Sequence, residues 1–375
     1  MSRVLVVTND FPPRPGGIQT FLHELVRRMP ASDLVVYTSR WRGWEDFDAA
    51  QGFEVVREDT QVLLPTPGVR RRAVELLRSR GCDAVLFGAA APLGLLGPAL
   101  RSAGARRTVA LTHGHEAGWA QLPGARRVLR RIGDGVDVVT YLGDYTRRRI
   151  GGALSEAAER RMVQLTPGVD AEIFRPGGDG RSRVRERHGL GDRPVVVCVS
   201  RLMPRKGQDT LVAALPQIRR RVPGAALLVV GGGPYRTRLE SLAREEAVSR
   251  EVVFAGSVPF DELPGYYAAG DVFAMPCRTR RAGLDVEGLG IVYLEASATG
   301  LAVVAGRSGG APDAVLEGQT GFVVDGSSVG AVARQVASTL ASPAVAASLG
   351  DRGREWVAQN WSWSAQAERL AELLA

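Results

Sequence analysis

Short runs of consecutive apolar and β-branched residues recur along this 375-residue chain, each followed by a stretch with helical periodicity. In the first half they are VLVVT (4–8), LVVYT (34–38), AVLFG (84–88), TVALTHG (108–114), VDVVTYL (136–142) and VQLTPG (163–168). Runs apolar at every position, not every second one, are what strands covered on both faces require, and strand–helix alternation is the pattern of parallel α/β sheets. The pattern breaks at FRPGGDGRSR (174–183), where Pro, Gly and charge suit a linker. It resumes with VVVCVS (195–200), ALLVVGG (226–232), VVFAG (252–256), VFAMPC (272–277), AVVAG (302–306) and GFVV (321–324). Such a length exceeds one ordinary core. We therefore expect an α/β protein of two doubly wound, Rossmann-like domains facing a deep cleft, one spanning 1–175 and the other 176–355.

With 45% hydrophobic and 23% charged residues and a mean hydropathy of −0.04, the composition excludes a disordered chain and a multispan membrane protein. No apolar run is long enough to cross a bilayer. MSRVLVVTND reads as a first strand and not as a signal peptide, so a cytoplasmic location is expected. Cys82, Cys198 and Cys277 lack C-x-x-C spacing, which suits small core residues in a reducing compartment. The net charge is +8, and residues 1–175 hold 25 Arg against 19 acidic residues, so the first half is the better candidate to face an anionic partner.

Ligands of doubly wound sheets sit at the carboxyl ends of strands, where helix amino ends point. That rule selects four stretches. In TNDFPPRPGGIQTFLHEL, Gly16 and Gly17 allow backbone to approach a ligand ahead of a helix, although a tight strand-to-helix turn needs the same residues. LTHGHEAGW places His113 at a strand end, with His115 further into the loop as the weaker candidate. VSRLMPRKGQDTL carries Arg201, Arg205 and Lys206, and Lys206 is the only Lys beside 47 Arg. Ammonium and guanidinium differ in shape and hydration, so a Lys retained in an Arg-rich chain marks a place where charge alone does not suffice.

The fourth stretch, RTRRAGLDVEGLGIVYLEASATG (278–300), has Glu287 and Glu295 flanking a Gly-Leu-Gly turn into a helix near Ile291. Glu295 then lies roughly 6 Å inside that helix, and the amides at Leu289, Gly290 and Ile291 point between the two carboxylates. An anion-binding helix end between them argues against a glycosidase acid–nucleophile pair. It favours a nucleotide-sugar, with Glu287 toward the sugar and Glu295 toward the ribose.

Taken together, the Gly-Gly after the first strand, THGHE, R-x4-K and E-x7-E resemble the retaining glycosyltransferases of family 4, which have the GT-B fold. The resemblance covers essentially the whole chain. TNDFPPRPGGIQ, GAAAPL, THGHEAGW, SRLMPRKGQD and TRRAGLDVEGLGIVYLEA are most similar to the actinobacterial branch that adds an α-1,6-linked mannose from GDP-mannose to a phosphatidylinositol monomannoside. The resemblance implies that Arg201 and Lys206 hold the donor diphosphate, Glu287 the mannose and Glu295 the ribose, with Gly288, Leu289, Gly290 and Ile291 forming the helix turn. It also implies that His113 meets the transferred sugar, Gly17 a phosphate, and the segment around Val258 the base. It further implies retention, a last helix (356–375) crossing back to the first domain, and closure about 170–180 and 355–362. Ala302 departs from the family, which usually has Pro there, and bears only on local stiffness.

No cofactor or metal is expected, since two cations and a helix end can meet the charge of a departing diphosphate. The Asp-x-Asp at 46–48 has no strand leading into it and reads as an acidic surface loop. VRRRAVELLRSR (69–80) aligns Val69, Ala73, Leu76 and Leu77 on one helical face among Arg, and GARRVLRRIG (124–133) follows Trp119 and Leu122 in the same style. Core-facing helices of an Arg-rich protein look alike, but with an anionic glycophospholipid acceptor implied, peripheral attachment to the inner membrane face is expected. VVGGGPYRTRLESLA (229–243) lacks G-x-G-x-x-G, which disfavours a dehydrogenase. A non-catalytic sugar-binding protein is the other class. No nucleic-acid partner is expected, because no aromatic-interleaved basic motif accompanies the high pI.

Overall fold

The computed structural model describes residues 3–375, which divide into two compact units, one of residues up to Gly168 together with Trp363–Ala375, the other Val169–Ser362. The first contains seven parallel strands: β1 (Val4–Val7), β2 (Leu34–Ser39), β3 (Glu54–Glu58), β4 (Ala84–Phe87), β5 (Arg107–Ala110), β6 (Val138–Tyr141) and β7 (Val163–Gln164). Their order is β3-β2-β1-β4-β5-β6-β7. β1, β2 and β4 are buried along their whole length, as continuous apolar runs require.

β3 has no counterpart among the expected strands. Its sequence, EVVRE, holds only two apolar residues between charges, and it lies half-buried at the sheet edge, where polar residues are tolerated. It also explains the Asp-x-Asp, which lies on a helix, Trp44–Ala49, and not in a loop. Asp48 takes two hydrogen bonds, each 2.8 Å, from Arg57 of β3. The Arg57 side chain is 1% exposed, and its remaining donors reach Ser39 O and Pro12 O.

Ala73, Leu76 and Leu77 of the helix Pro67–Ser79 are buried in the core of this unit, with Val69 packed against them. Leu129 and Ile132 of the helix Pro123–Gly135 are buried likewise. Those apolar stripes therefore belong to the core and are not available to lipid; Arg126, Arg127, Arg130 and Arg131 make up the exposed side of the second helix. The last helix, Trp363–Leu374, packs on β4, β5 and the helix Gly17–Val26, and Arg107 Nε donates to Leu373 O at 2.9 Å. Burial of Leu370 and Leu374 contributes about 1.5–3 kcal/mol each.

The second unit contains β8 (Val195–Val199), β9 (Ala226–Val230), β10 (Val252–Gly256), β11 (Val272–Met275), β12 (Ala302–Gly306) and β13 (Gly321–Val324), parallel in the order β10-β9-β8-β11-β12-β13. Its limits differ from the expected 176–355. Val169 N–H donates to Trp361 O at 2.6 Å, and Phe174 packs edge-on against Tyr267 and Phe260. Residues 169–175 and 356–362 thus pack as part of this unit. The supposed linker is also shorter than its composition implies, because a helix, Asp179–Arg187, begins within it. Ala302 opens β12 and packs with Ala346 and Leu349.

Candidate functional site

In the second sheet β8 and β11 are neighbours, with β9 and β10 continuing on one side and β12 and β13 on the other. Loops leaving the carboxyl ends of such a pair diverge and open a crevice. The β8 loop carries Lys206 and the β11 loop carries Glu287, and the two meet: Nζ lies 2.6 Å from Oε2, with side chains 11% and 8% exposed. Arg205 comes within 3.9 Å of the same carboxylate and 3.7 Å of Asp285. Arg201 stands apart, exposed, its guanidinium without an acidic partner among the described residues.

Both loops are pinned from behind. Gln208 Nε2 donates to Ser200 Oγ at 2.7 Å and to Arg201 O at 3.0 Å. Gly231, at φ +131°, backs onto Ser200 O so closely that any Cβ would collide with it. The Gly run after β9 is therefore a close approach to the Arg201 loop. On the other side Gly310 N–H donates to Glu287 O at 2.9 Å, and Gly309, at φ +55°, has no room for a Cβ against that carbonyl. Sequence reasoning missed Ser308, Gly309 and Gly310, although a Ser-Gly-Gly just past a strand end was the available signal.

Gly288, Leu289 and Gly290 lead into the helix Ile291–Ala298, with Gly290 at its cap, and the amides of a first helical turn have no acceptor within the helix. Glu295 is buried one turn in, and the Tyr267 hydroxyl donates to its Oε2 at 2.5 Å. Burial pushes Glu295 up to about 7 against the opposing effect of that hydrogen bond. Tyr267, from the helix Leu263–Ala268, was not foreseen; nothing but its aromatic character marked it. No hydrogen bond among the described residues joins Glu295 to the Lys206–Glu287 pair. Val258 is half-buried in the loop after β10.

In the first unit Gly16 and Gly17 are exposed after β1, where Gly17 opens the helix Gly17–Val26. Asn9 ties this region to the loop after β3 by accepting from Leu63 N–H and donating to Leu63 O. His113 follows β5, and its Nε2 lies 2.6 Å from Gly88 O, just past the neighbouring β4. A carbonyl only accepts, so Nε2 carries the proton. Burial holds the ring below the ordinary imidazole value, which leaves Nδ1 as a free acceptor.

Among the described residues no group of three or more His, Cys, Asp or Glu is placed to hold a metal ion. A cavity of about 450 Å³ in the second unit, lined by Pro194, Asp271 and Leu301, lies at the amino ends of β8, β11 and β12, away from these residues.

Residues 15–173 match the family model described as Glycosyltransferase Family 4, and 180–356 match Glycosyl transferases group 1. The chain is 55% identical over 376 residues to the GDP-mannose-dependent alpha-(1-6)-phosphatidylinositol monomannoside mannosyltransferase of Mycolicibacterium smegmatis, covering 99% of this chain and 98% of the relative. It is 45% identical to the Corynebacterium glutamicum enzyme named for the monoacylated form of that acceptor, covering 99% and 97%. Among solved structures, HepE of Anabaena with UDP superposes with a TM-score of 0.85 at 18% identity, covering 99% of both chains. Sucrose-phosphate synthase of Thermosynechococcus elongatus gives 0.78 at 23%, covering 99% and 98%. Likeness at that identity speaks for the fold alone, whereas the end-to-end identity with the mannosyltransferases goes further. The chain belongs to family 4 of the GT-B glycosyltransferases, in the branch of the GDP-mannose-dependent phosphatidylinositol monomannoside mannosyltransferases.

Proposed function

We propose that this chain transfers mannose from GDP-mannose to a phosphatidylinositol monomannoside, forming an α-1,6 linkage with retention of configuration and without a metal ion. The observation that carries the reading is the 55% identity, over 99% of the chain, with an enzyme named for that reaction.

The site chemistry supports it. A departing nucleoside diphosphate gathers negative charge that fixed groups must meet. Lys206 and Arg201 supply cations and the turn at Leu289–Ile291 supplies amides. At about 4 Å an ammonium and a phosphate oxygen attract by roughly 4 kcal/mol at an effective dielectric near 20. In this reading the diphosphate replaces Glu287 as partner of Lys206, and Glu287 turns to the mannose hydroxyls. Glu295 accepts from the ribose and Val258 packs on the base. In the first unit Gly16 and Gly17 present backbone to a phosphate oxygen, and His113 Nδ1 accepts from a hydroxyl of the transferred mannose. With no nucleophile assigned opposite the donor, the acceptor hydroxyl attacks from the face the phosphate leaves. Its oxygen bonds the anomeric carbon as the carbon–phosphate-oxygen bond breaks, and its proton passes to the departing phosphate.

We also place the protein on an anionic membrane surface at the cytoplasmic side. No helix among the described residues is long and apolar enough to cross a membrane. The support is the lipid named as the relatives' acceptor and the exposed row Arg126, Arg127, Arg130 and Arg131, with Leu122 49% exposed beside it.

The test is a panel of GDP-, UDP- and ADP-sugars against phosphatidylinositol bearing zero, one or two mannoses, read by mass spectrometry in the presence of EDTA. One added hexose from GDP-mannose on the monomannoside is expected. Transfer from another donor only, or none once EDTA is added, would overturn the reading.

A further inference from the structure

We propose that His115, Glu116 and Trp119 form a platform for a polyol ring of the acceptor headgroup, an assignment that rests on the transferase reading above. The loop after β5 continues past His113 into one helical turn, Glu116–Trp119, whose Glu116, Ala117 and Gly118 are buried. What this turn shows to solvent is aromatic: His115 is 43% and Trp119 37% exposed. The two rings meet edge to face with centroids 5.9 Å apart. The His115 ring also lies 6.5 Å from that of His113 and nearly parallel to it, at 8°. A ring resting on His115 and Trp119 is therefore adjacent to whatever His113 holds.

Glu116 supplies the observation that points to a ligand. Its side chain is fully buried, and one oxygen accepts the His113 N–H at 3.0 Å. The other oxygen, Oε1, is buried with no hydrogen-bond partner and stands 3.5 Å from His115 Nε2. A buried carboxylate oxygen left unpaired is unfavourable, and a short movement of the His115 ring under a bound molecule would pair it. With Nε2 turned to Glu116, Nδ1 faces outward to bond a hydroxyl.

These groups suit one chemistry. A pyranose or cyclitol lays its C–H face on an indole and offers hydroxyls at its rim, so an amphipathic aromatic beside a braced imidazole meets both. A phosphate alone would call for Arg, and the turn carries none. An apolar partner would leave both His115 and Glu116 unpaired. The acceptor headgroup has two such rings, mannose and inositol.

The experiment is calorimetric binding of the soluble glycerophosphoinositol monomannoside to the full chain, with methyl α-mannoside and inositol 1-phosphate as competitors that tell the two rings apart. Trp119→Ala and His115→Ala are expected to weaken binding about tenfold and to raise the acceptor KM in proportion, while the KM for GDP-mannose changes less than about twofold. Trp119→Phe should recover part of the loss. Glu116→Gln, which keeps an acceptor for His113 N–H but removes the charge facing His115, should weaken binding in the same sense. Headgroup binding by Trp119→Ala and His115→Ala as tight as that of the wild type, or an equal rise in both KM values, would sink the platform. Absence of transfer from GDP-mannose by the wild type would instead sink the functional reading, since headgroup binding is measured independently of turnover.

Discussion

Lys206 and Glu287, on loops that leave two adjacent strands, stand 2.6 Å apart with both side chains largely buried. The space accommodates an ammonium, and a guanidinium is a broader planar fork. Lys206→Arg keeps the charge and is expected to lower kcat about a hundredfold, on the scale of losing one fixed donor to a departing anion. Steady-state rates with GDP-mannose check this, and wild-type turnover in the variant would show that shape at 206 is immaterial.

Glu295 lets stability and binding be separated by pH. Its folded pKa, about 7, is raised from 4.5, so between those values the folded chain holds a proton the unfolded chain has released. Stability from this group is greatest below about pH 4.5 and declines by on the order of 3 kcal/mol as pH rises through 7. Donor binding runs the other way, because only the carboxylate accepts both ribose hydroxyls, so the GDP-mannose KM should fall as pH rises through 7. Tyr267→Phe removes the hydrogen bond that favours the carboxylate and should move that midpoint upward. A KM profile flat from pH 5.5 to 8.5 would contradict the assignment of Glu295.

Asp48 and Asp46 share one Asp-x-Asp but sit in different surroundings. Asp48→Ala leaves Arg57 buried and unpaired and should cost about 3 kcal/mol or more, visible as a lowered Tm. Asp46, exposed, should tolerate alanine within about 0.5 kcal/mol. If both substitutions abolished turnover without lowering Tm, a metal role for this pair would have to be reconsidered.

Membrane attachment through the helix Pro123–Gly135 should be electrostatic, because its apolar residues are spent on the core. Flotation with phosphatidylserine-containing liposomes should be strong at low salt and fade as salt rises, each Arg near the surface adding about 1 kcal/mol. Reversing Arg126, Arg127, Arg130 and Arg131 to Glu should abolish it. Salt-independent flotation would point to apolar insertion elsewhere.

Six of the seven strands of the first sheet and all six of the second were legible in the sequence, most of them, such as β1, β8, β9 and β12, because a continuous apolar run has few stable alternatives to burial on both faces, whereas β7 is only Val163–Gln164, half-buried at the sheet edge. β3 was illegible because an edge strand is solvated on one side and its pattern is mixed. The helices Pro67–Ser79 and Pro123–Gly135 were legible as amphipathic, but the partner of their apolar stripes was not, since core and lipid select the same residues.

The site divides in the same way. Local spacing by itself determined that Glu295 lies one turn inside a helix opened by Gly290, and that Lys206 and His113 stand at strand ends, because helix geometry and strand-to-loop transitions act over a few residues. That Lys206 meets Glu287, that Tyr267 holds Glu295 and that Glu116 keeps an unpaired oxygen toward His115 were decided only by tertiary structure. Strand order and close packing choose which distant side chains share a crevice, and those choices are made by the whole fold, beyond the reach of any short window of sequence.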